Sequence, residues 1–419
     1  MKLFLAAGLI TLSCLLPAFR GADTKPRSAL VTDEVIAGGP KDFLEARHLV
    51  LRGSHAEIGT ALATLARDRL HVKPARSGDL LRTRAQRHYF ERNYPIHFER
   101  MQGVAIAFGQ KVEDDTRNFA GLSYPPQGRP GCSVVHLPAS VTAEGKSIVS
   151  RNYDFTTGTL RGTRPGPGEE PCTARPFLLE MHPERGYASL AMHAYDLLGG
   201  TIDGINAAGL TVAILADDEL MQKFPMEGAQ TITAGLGVLQ TARLLLDTCA
   251  TVEEAKVALL QNKHYYEFIP VHYLVADRHG NAFVWEYSHA HNREYIIANP
   301  GQPLVTTNFS LHRYLENGKP PSVEKAKKIC PRYCTLAEHL ATGEKVTVTQ
   351  LKQTHASVDA VRPLGPNGLG GRTLWHALYF PEESKVQLSF YLRDADVDGK
   401  KTIQRSEYRE FVLLGKTSK

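Results

Sequence analysis

The stretch from residue 131 to residue 155 constrains the chain most, because it predicts a hairpin with reactive groups at both ends. Two apolar runs are separated by turn residues around Gly145, which is typical of two strands joined by a turn. Cys132 opens the first predicted strand, and Arg151 and Asp154 close the second. Since a hairpin brings its two ends together, a thiol, a guanidinium and a carboxylate should meet in space. A neighbouring cation lowers the pKa of a thiol, so Cys132 is the candidate nucleophile.

The motif Gly-Cys-Ser at 131–133, followed by Arg-Asn-Tyr-Asp at 151–154, resembles the N-terminal-nucleophile (Ntn) cysteine hydrolases of the penicillin acyltransferase and choloylglycine hydrolase type. In that family the cysteine becomes the first residue of a new chain after cleavage on its amino side, and the freed α-amino group serves as the general base. The resemblance implies autocleavage between Gly131 and Cys132. It also implies a hydrolase or acyltransferase that acts on a linear non-peptide amide C–N bond through an acyl-thioester, without a cofactor.

A second motif, Leu-Val-Thr-Thr-Asn at 304–308, predicts a strand that ends at an asparagine. Asn308 matches the place where the family carries an oxyanion-hole residue, and an amide N–H suits that task because it donates a hydrogen bond without titrating. Without the resemblance, Asn308 is a turn residue or part of a glycosylation sequon. Another asparagine of the bile-salt hydrolases is replaced here by Ala216, whose backbone N–H could still contribute to an oxyanion hole.

A third motif is the glycine-rich run that ends at Arg372. It lacks the Lys-Ser/Thr end of a phosphate-binding P-loop, and no helix is predicted after it. The family places an arginine here, at the start of a strand pair. The resemblance implies that Arg372 holds the active-site charge network with Arg151 and Asp154, that both arginines tune the thiolate, and that Asp154 orients the α-amine or the thiol. A surface arginine is the alternative.

The resemblance implies an α+β fold, the four-layer αββα Ntn-hydrolase sandwich, with a mainly helical N-terminal pro-segment that becomes the small subunit. The pattern agrees with it, since strand-rich stretches flank a central helical pair at 233–260. We predict a signal peptide at 1–21, the pro-segment at 22–131 and the catalytic domain, or large subunit, at 132–419. A Pro/Gly loop at 124–131 is suited to cleavage. A second loop at 156–176 is either a surface connection or a lid.

The N-terminus predicts export, because Lys2, an apolar run and a small-residue exit near Ala22 are typical of a secretory signal peptide. We expect a secreted or periplasmic protein without stable membrane insertion after signal removal; an uncleaved anchor is the alternative. The net charge of +5 is spread along the chain, so a nucleic-acid partner is not expected. The expected partners are a small-molecule amide and the two subunits of one precursor, and a homo-oligomer is compatible with the sequence.

The chain has six cysteines, of which Cys14 would leave with the signal peptide. Five is an odd number, so at least one thiol should stay free in an oxidising compartment. If that thiol is Cys132, the others could form two disulfides, with Cys330 and Cys334 close enough to pair locally. The connectivity stays open among four cysteines: Cys172, Cys249, Cys330 and Cys334.

No metal site is predicted. The segment that starts at Asp394 resembles a calcium-binding loop, but Arg405 stands where a bidentate glutamate is needed. We therefore interpret residues 394–399 as an acidic hairpin turn. His289 and His291 lack carboxylates at ligand spacing.

Two other classes of protein are compatible with parts of the sequence. A secreted, non-catalytic binding protein that retains the Ntn fold would keep an uncut chain. A papain-like cysteine protease is disfavoured, because a helix rather than a strand should follow its nucleophile. The sequence leaves open the acyl and amine parts of the substrate, and the choice between hydrolysis and acyl transfer.

Overall fold

The computed structural model describes residues 29–122, 131–156, 175–194, 196–219, 234–266, 269–341, 343–362 and 370–413. The predicted signal peptide, most of the two loops at 124–131 and 156–176, and Cys172 lie outside these residues. No helix in the described part of the chain is long and apolar enough to cross a membrane.

Strands dominate the described residues. The strands are, in chain order, β1 Leu30–Gly38, β2 Glu45–Gly53, β3 Ala75–Arg76, β4 Arg117–Asn118, β5 Gly131–Leu137, β6 Ile148–Thr156, β7 Phe177–Pro183, β8 Ser189–His193, β9 Thr201–Asn206, β10 Thr211–Ala216, β11 Val271–Ala276, β12 Ala282–Ser288, β13 Arg293–Ile297, β14 Leu304–Thr306, β15 Gly371–Phe380, β16 Lys385–Val397, β17 Lys400–Arg405 and β18 Arg409–Val412. The helices are α1 His55–Leu70, α2 Leu80–Asn93, α3 Pro95–Ala107, α4 Val238–Thr248, α5 Val252–Gln261, α6 Val323–Ala326, α7 Pro331–Leu340 and α8 Val348–Ala356.

Two large sheets form the centre of the molecule. One has nine strands in the order β1-β2-β7-β8-β9-β10-β11-β12-β13, and the other has seven, in the order β14-β5-β6-β15-β16-β17 with β18 beside β16. The sheets face each other where β10 meets β5, with α1, α4 and α5 on the outer face of the first and α7 and α8 on that of the second. Strands such as β6 and β10 are buried along nearly their whole length because both faces are covered. The predicted four-layer αββα arrangement is confirmed.

The N-terminal segment is part of the nine-stranded sheet. Strand β2 pairs in parallel with β7, and β1 forms the sheet edge beside β2. Helix α1 begins with a capping box, in which Ser54 and Glu57 satisfy each other's backbone N–H groups. A Cβ on Gly59 would lie 2.2 Å from the Arg100 carbonyl oxygen, and one on Gly103 would lie 2.0 Å from that of Ala56, so glycine lets α1 and α3 cross closely. The sequence did not predict β1.

Some local details follow only from the structure. Asp203 lies within β9, and the turn that leads into β10 is confined to residues 207–209, where Gly209 has a φ of 86°. Cys330 and Cys334 are both free thiols, as is Cys249. Cys330 accepts a hydrogen bond from Thr307 and Cys334 donates to the Val323 carbonyl, so neither thiol is paired with the other. The acidic hairpin predicted at 394–399 is formed by β16 and β17, but its turn is confined to Asp398 and Gly399, because residues 394–397 belong to β16.

Asp247 in α4 ties the N-terminal helices to the rest of the protein. Its carboxylate accepts hydrogen bonds from Arg100 at 2.6 and 3.0 Å and from the Tyr94 hydroxyl, and forms an ion pair of 2.8 Å with Arg243. All four side chains are buried. The charges of Arg100 and Arg243 hold the pKa of Asp247 well below its ordinary value, against the effect of burial.

The variant Asp247→Asn is expected to lose about 3–5 kcal/mol of unfolding free energy, because two buried guanidinium groups would lose their only anionic partner in this cluster. Urea unfolding followed by tryptophan fluorescence measures the loss. Asp68→Asn is the control, since its pair with Arg67 is exposed, and its midpoint should match that of the unchanged protein. Equal midpoints for all three proteins would contradict the role given to Asp247.

Candidate active site

The hairpin β5-β6 is formed as predicted. Gly131 lies opposite Asp154, Cys132 opposite Tyr153, and Val134 opposite Arg151. Cys132 is buried, with 2% of its surface exposed. A Cβ on Gly131 would lie 3.2 Å from a carboxylate oxygen of Asp154 and 2.9 Å from an Arg362 nitrogen, so a larger residue before the cysteine would displace the end of the Arg362 side chain.

Asn308 contacts the backbone nitrogen of Cys132. Strand β14 pairs with β5 up to Thr306, and the Asn308 side chain then continues the contact in place of a backbone group. Its Oδ1 accepts a hydrogen bond from the Cys132 N–H at 2.7 Å, and its Nδ2 donates to the Ala216 carbonyl at 2.8 Å. The predicted asparagine is therefore next to the predicted nucleophile, and Ala216 contributes an acceptor at this point.

Arg332, which the sequence analysis missed, joins the other members of the site. One of its terminal nitrogens donates to the Cys132 carbonyl at 2.7 Å and to Asp154 at 3.2 Å, and the other donates to Asn308 Oδ1 at 2.8 Å. The remaining Asp154 oxygen accepts from the Thr373 hydroxyl at 2.7 Å. The sequence contained one signal for Arg332. Pro331 marks a helix start, and a positive charge at a helix start interacts unfavourably with the helix dipole unless an acidic group lies nearby.

Arg151 lies between the two sheets. It is fully buried, donates to Asp203 and to the Ile214 carbonyl, and has its guanidinium carbon 4.9 Å from the centre of the Tyr153 ring. Asp203 also accepts hydrogen bonds from Trp375 and Tyr379, so the Arg151 charge is fixed by a buried polar cluster. The charge of Arg151 therefore acts to lower the pKa of Cys132, while the hydrogen bonds of its guanidinium go to Asp203 and the Ile214 carbonyl.

Arg372 does not join this group, which corrects the predicted charge network. It binds Asp394 of β16 through two hydrogen bonds of 2.6 and 2.8 Å and donates to the Gly371 carbonyl. The reason is strand alternation: in β15 it is the next residue, Thr373, that lies opposite Asp154 and shares its face. The arginine beside Asp154 comes from α7 instead.

Electrostatics favour a neutral thiol at rest. Burial raises the pKa of Cys132, and the nearby Asp154 carboxylate acts in the same direction. The charges of Arg151 and Arg332 and the backbone N–H of Asp154 oppose this increase without reversing it. A cysteine in this setting needs a base to take its proton before it can act as a nucleophile.

One group among the described residues has the composition of a metal site: Asp217, His272 and Glu286, whose ligand atoms lie within 4.8 Å of one another. All four carboxylate oxygens already accept hydrogen bonds from protein donors. Hydrogen bonding therefore accounts for this group without an ion.

Comparison with known families shows to which family the chain belongs. The model of the family described as acyl-coenzyme A:6-aminopenicillanic acid acyl-transferase matches residues 141–393, more than half of the chain. The chain belongs to this acyl-transferase family. The match confirms the resemblance read from the sequence, and it includes Arg151, Asp154, Asn308 and Arg332. It begins after Cys132, so the position of the nucleophile rests on the sequence motif and on the geometry described above.

Solved structures with similarity to this acyl-transferase family member are remote. A mutant of the conjugated bile acid hydrolase from Clostridium perfringens has 15% identity and a TM-score of 0.41, with 66% of this chain and 97% of that chain covered. For penicillin V acylase from Agrobacterium tumefaciens these values are 14%, 0.35, 62% and 82%. For the Caenorhabditis elegans ortholog of N-acylethanolamine-hydrolyzing acid amidase they are 18%, 0.37, 60% and 93%. The search of curated proteins gave no match.

Proposed function

We propose that the protein is a self-processing amide hydrolase or acyltransferase, whose nucleophile is Cys132 after cleavage of the Gly131–Cys132 bond. Family membership supports an enzyme of the amide hydrolase and acyltransferase class. The observation that carries the finer assignment is the set of contacts around Cys132. Its backbone nitrogen is bound by Asn308 and its carbonyl by Arg332, so the atom that would become the α-amine already has a polar partner.

Cleavage of the precursor is the first reaction in this proposal. The Cys132 sulfur adds to the Gly131 carbonyl carbon, the C–N bond breaks, and the nitrogen of Cys132 takes up a proton. The resulting thioester is hydrolysed by water, which restores the thiol and leaves a carboxylate on Gly131. The products are two polypeptides, one ending at Gly131 and one beginning at Cys132.

Substrate turnover is the second reaction. The α-amine of Cys132 has an ordinary pKa close to neutral pH, so it can take the thiol proton and later give it to the leaving amine. The thiolate attacks the substrate amide carbonyl, and the second N–H of the Asn308 side chain donates to the developing oxyanion. An acyl-thioester forms as the amine leaves, and water or a second amine then takes the acyl group. Arg332 and Asp154 hold the cysteine and the asparagine in position.

The proposal includes export of the protein, directed by the signal peptide at residues 1–21. A small-molecule amide is the expected substrate, and the two polypeptides from one precursor are the expected partners of each other.

Intact mass spectrometry of the purified protein tests the first reaction. We expect two species, one of which begins at Cys132, and iodoacetamide should label that cysteine and stop the release of amine from a panel of N-acyl amines, N-acyl amino acids and acylated β-lactam nuclei. A chain that stays whole, with no amine released from any member of the panel, would overturn the proposal. The alternative of a non-catalytic binding protein with the same fold would then be preferred.

A further inference from the structure

The segment that carries Asn308 is held by three buried side chains from neighbouring strands. Asp217 follows β10, His272 lies in β11 and Glu286 lies in β12. His272 Nε2 donates to the Thr307 carbonyl at 2.7 Å, and Asp217 accepts from the Ser310 hydroxyl at 2.6 Å. Thr307, directly before Asn308, and Ser310, two residues after it, are thus fixed by side chains from the nine-stranded sheet.

Glu286 fixes the far end of the same segment. Its carboxylate accepts hydrogen bonds from the backbone N–H of Leu311 at 2.7 Å, from that of His312 at 3.0 Å and from the His312 ring at 2.8 Å. Asp218 adds a contact of 3.2 Å from the Ser310 N–H. Residues 307–312 contain only a short 3-10 turn, so these side chains take the place of a sheet or helix in ordering the backbone.

His272 connects the two carboxylates. Its Nε2 donates to a carbonyl, and its Nδ1 lies 3.0 Å from Asp217 and 3.5 Å from Glu286, so both ring nitrogens act as donors and the ring carries a proton on each. Burial alone would lower the pKa of His272, but the hydrogen bond and the charge of Asp217 outweigh it and raise that pKa above its ordinary value. The group is a buried hydrogen-bonded cation between two anions.

We propose that Asp217, His272 and Glu286 form a clamp that positions the Asn308 amide, with His272 as the central positioning residue. The inference rests on the role of Asn308 in the proposed function. Two contacts connect the clamp to Asn308. His272 binds the Thr307 carbonyl, which belongs to the peptide group before Asn308. The Asn308 side-chain amide donates to the carbonyl of Ala216, the residue directly before Asp217. An oxyanion donor must be placed within a few tenths of an ångström, and a displacement of about 1 Å can reduce the rate roughly 100-fold.

The variant His272→Gln tests the clamp, since glutamine can replace one of the two hydrogen bonds without a charge. We expect kcat to fall roughly 10- to 100-fold while KM changes less than about twofold, because the substrate ground state does not use the oxyanion donor. The matched control is His97→Gln, which removes a fully buried histidine of α3, a helix that packs against α1 and α2; this histidine donates to the Ala120 carbonyl at 2.8 Å. The control should keep its kcat.

A double-mutant cycle separates positioning from general stability. If His272 acts through Asn308, the variant His272→Gln in an Asn308→Ala background should cause no further loss of kcat. Losses that multiply, or a KM effect as large as the kcat effect, would overturn the inference. Should His272→Gln fail to fold, Ser310→Ala removes only the hydrogen bond to Asp217 and is expected to lower kcat roughly 3- to 10-fold by the same cause.

Hydrogen–deuterium exchange of peptides that cover residues 307–312 provides a readout independent of turnover. Faster exchange in His272→Gln than in His97→Gln supports the clamp, and equal exchange overturns it. A protein that cleaves no amide but shows this change would refute the proposed function and retain the clamp. One equivalent of bound metal, detected by elemental mass spectrometry and lost in His272→Gln, would overturn the hydrogen-bonded clamp.

Discussion

Replacing Cys132 with alanine is expected to keep the chain whole and to reduce amide turnover by a factor of roughly 10³ or more. Both reactions of the proposal start from the same sulfur, so one substitution should remove both. Alanine fits the site because Cys132 lies in a regular strand with a neutral, buried side chain. Intact mass spectrometry measures the splitting, and amine release from the best substrate of the panel measures the turnover.

Cys249→Ala is the matched control for this experiment. Cys249 is also a buried free cysteine, but it follows α4 on the outer side of the nine-stranded sheet, and burial raises its pKa to about 11. We expect the control to split and to turn over substrate like the unchanged protein. Splitting of the Cys132→Ala chain between residues 131 and 132 would assign the cleavage to another protease, and full turnover by that variant would exclude Cys132 as the nucleophile.

Replacing Arg332 with methionine should cause the second-largest loss, roughly 10²- to 10³-fold in kcat, since one guanidinium binds the Cys132 carbonyl, Asp154 and Asn308 together. Methionine keeps much of the side-chain volume and removes the charge and the donors. Splitting of the precursor should slow as well, because the same contacts orient the peptide bond that is cut. Rates of fragment formation after a pulse of synthesis and steady-state turnover measure the two effects.

Two comparison variants sharpen the Arg332 experiment. Arg332→Lys keeps the charge but cannot bind three acceptors in the plane of a guanidinium, so it should recover only part of the loss. Arg372→Met removes the arginine that the sequence analysis favoured, and because that side chain binds Asp394, we expect turnover within about threefold of normal. A large loss in Arg372→Met with little effect in Arg332→Met would restore the assignment made from the sequence.

The parts of the site that could be predicted from the sequence are those fixed by local geometry. Cys132 and Asp154 are brought together by one hairpin, whose two strands and turn are visible in the residue pattern. Asn308 was identified because a strand ends in a polar motif similar to that of a known family. Arg332 could not be assigned in this way: Pro331 marks it only as an arginine at a helix start, and its place beside Asp154 depends on how α7 packs against the sheet, which is a tertiary contact.

The fold shows the same division between local and tertiary information. The amphipathic helix α1 and the hairpin strands follow from periodicity and capping. Strand β9 resembles a turn in sequence because Asp203 and Gly204 weaken a strand pattern, yet Arg151, Trp375 and Tyr379 of the facing sheet satisfy the Asp203 carboxylate. The partners that make this strand stable lie more than fifty positions away, and only the folded protein shows them.

The position of β2 beside β7 has a consequence for how the protein responds to denaturant. The first 131 residues supply β2, an internal strand of the nine-stranded sheet, and they also supply Tyr94 and Arg100, which bind the Asp247 carboxylate. A cut before Cys132 would therefore leave the two pieces folded together. Native chromatography should then show a single species, and denaturing chromatography two. Recovery after dilution from urea would become bimolecular, with a rate proportional to protein concentration, whereas the uncut Cys132→Ala chain would recover at a rate independent of it. The order of the recovery reaction would thus report whether the bond had been broken.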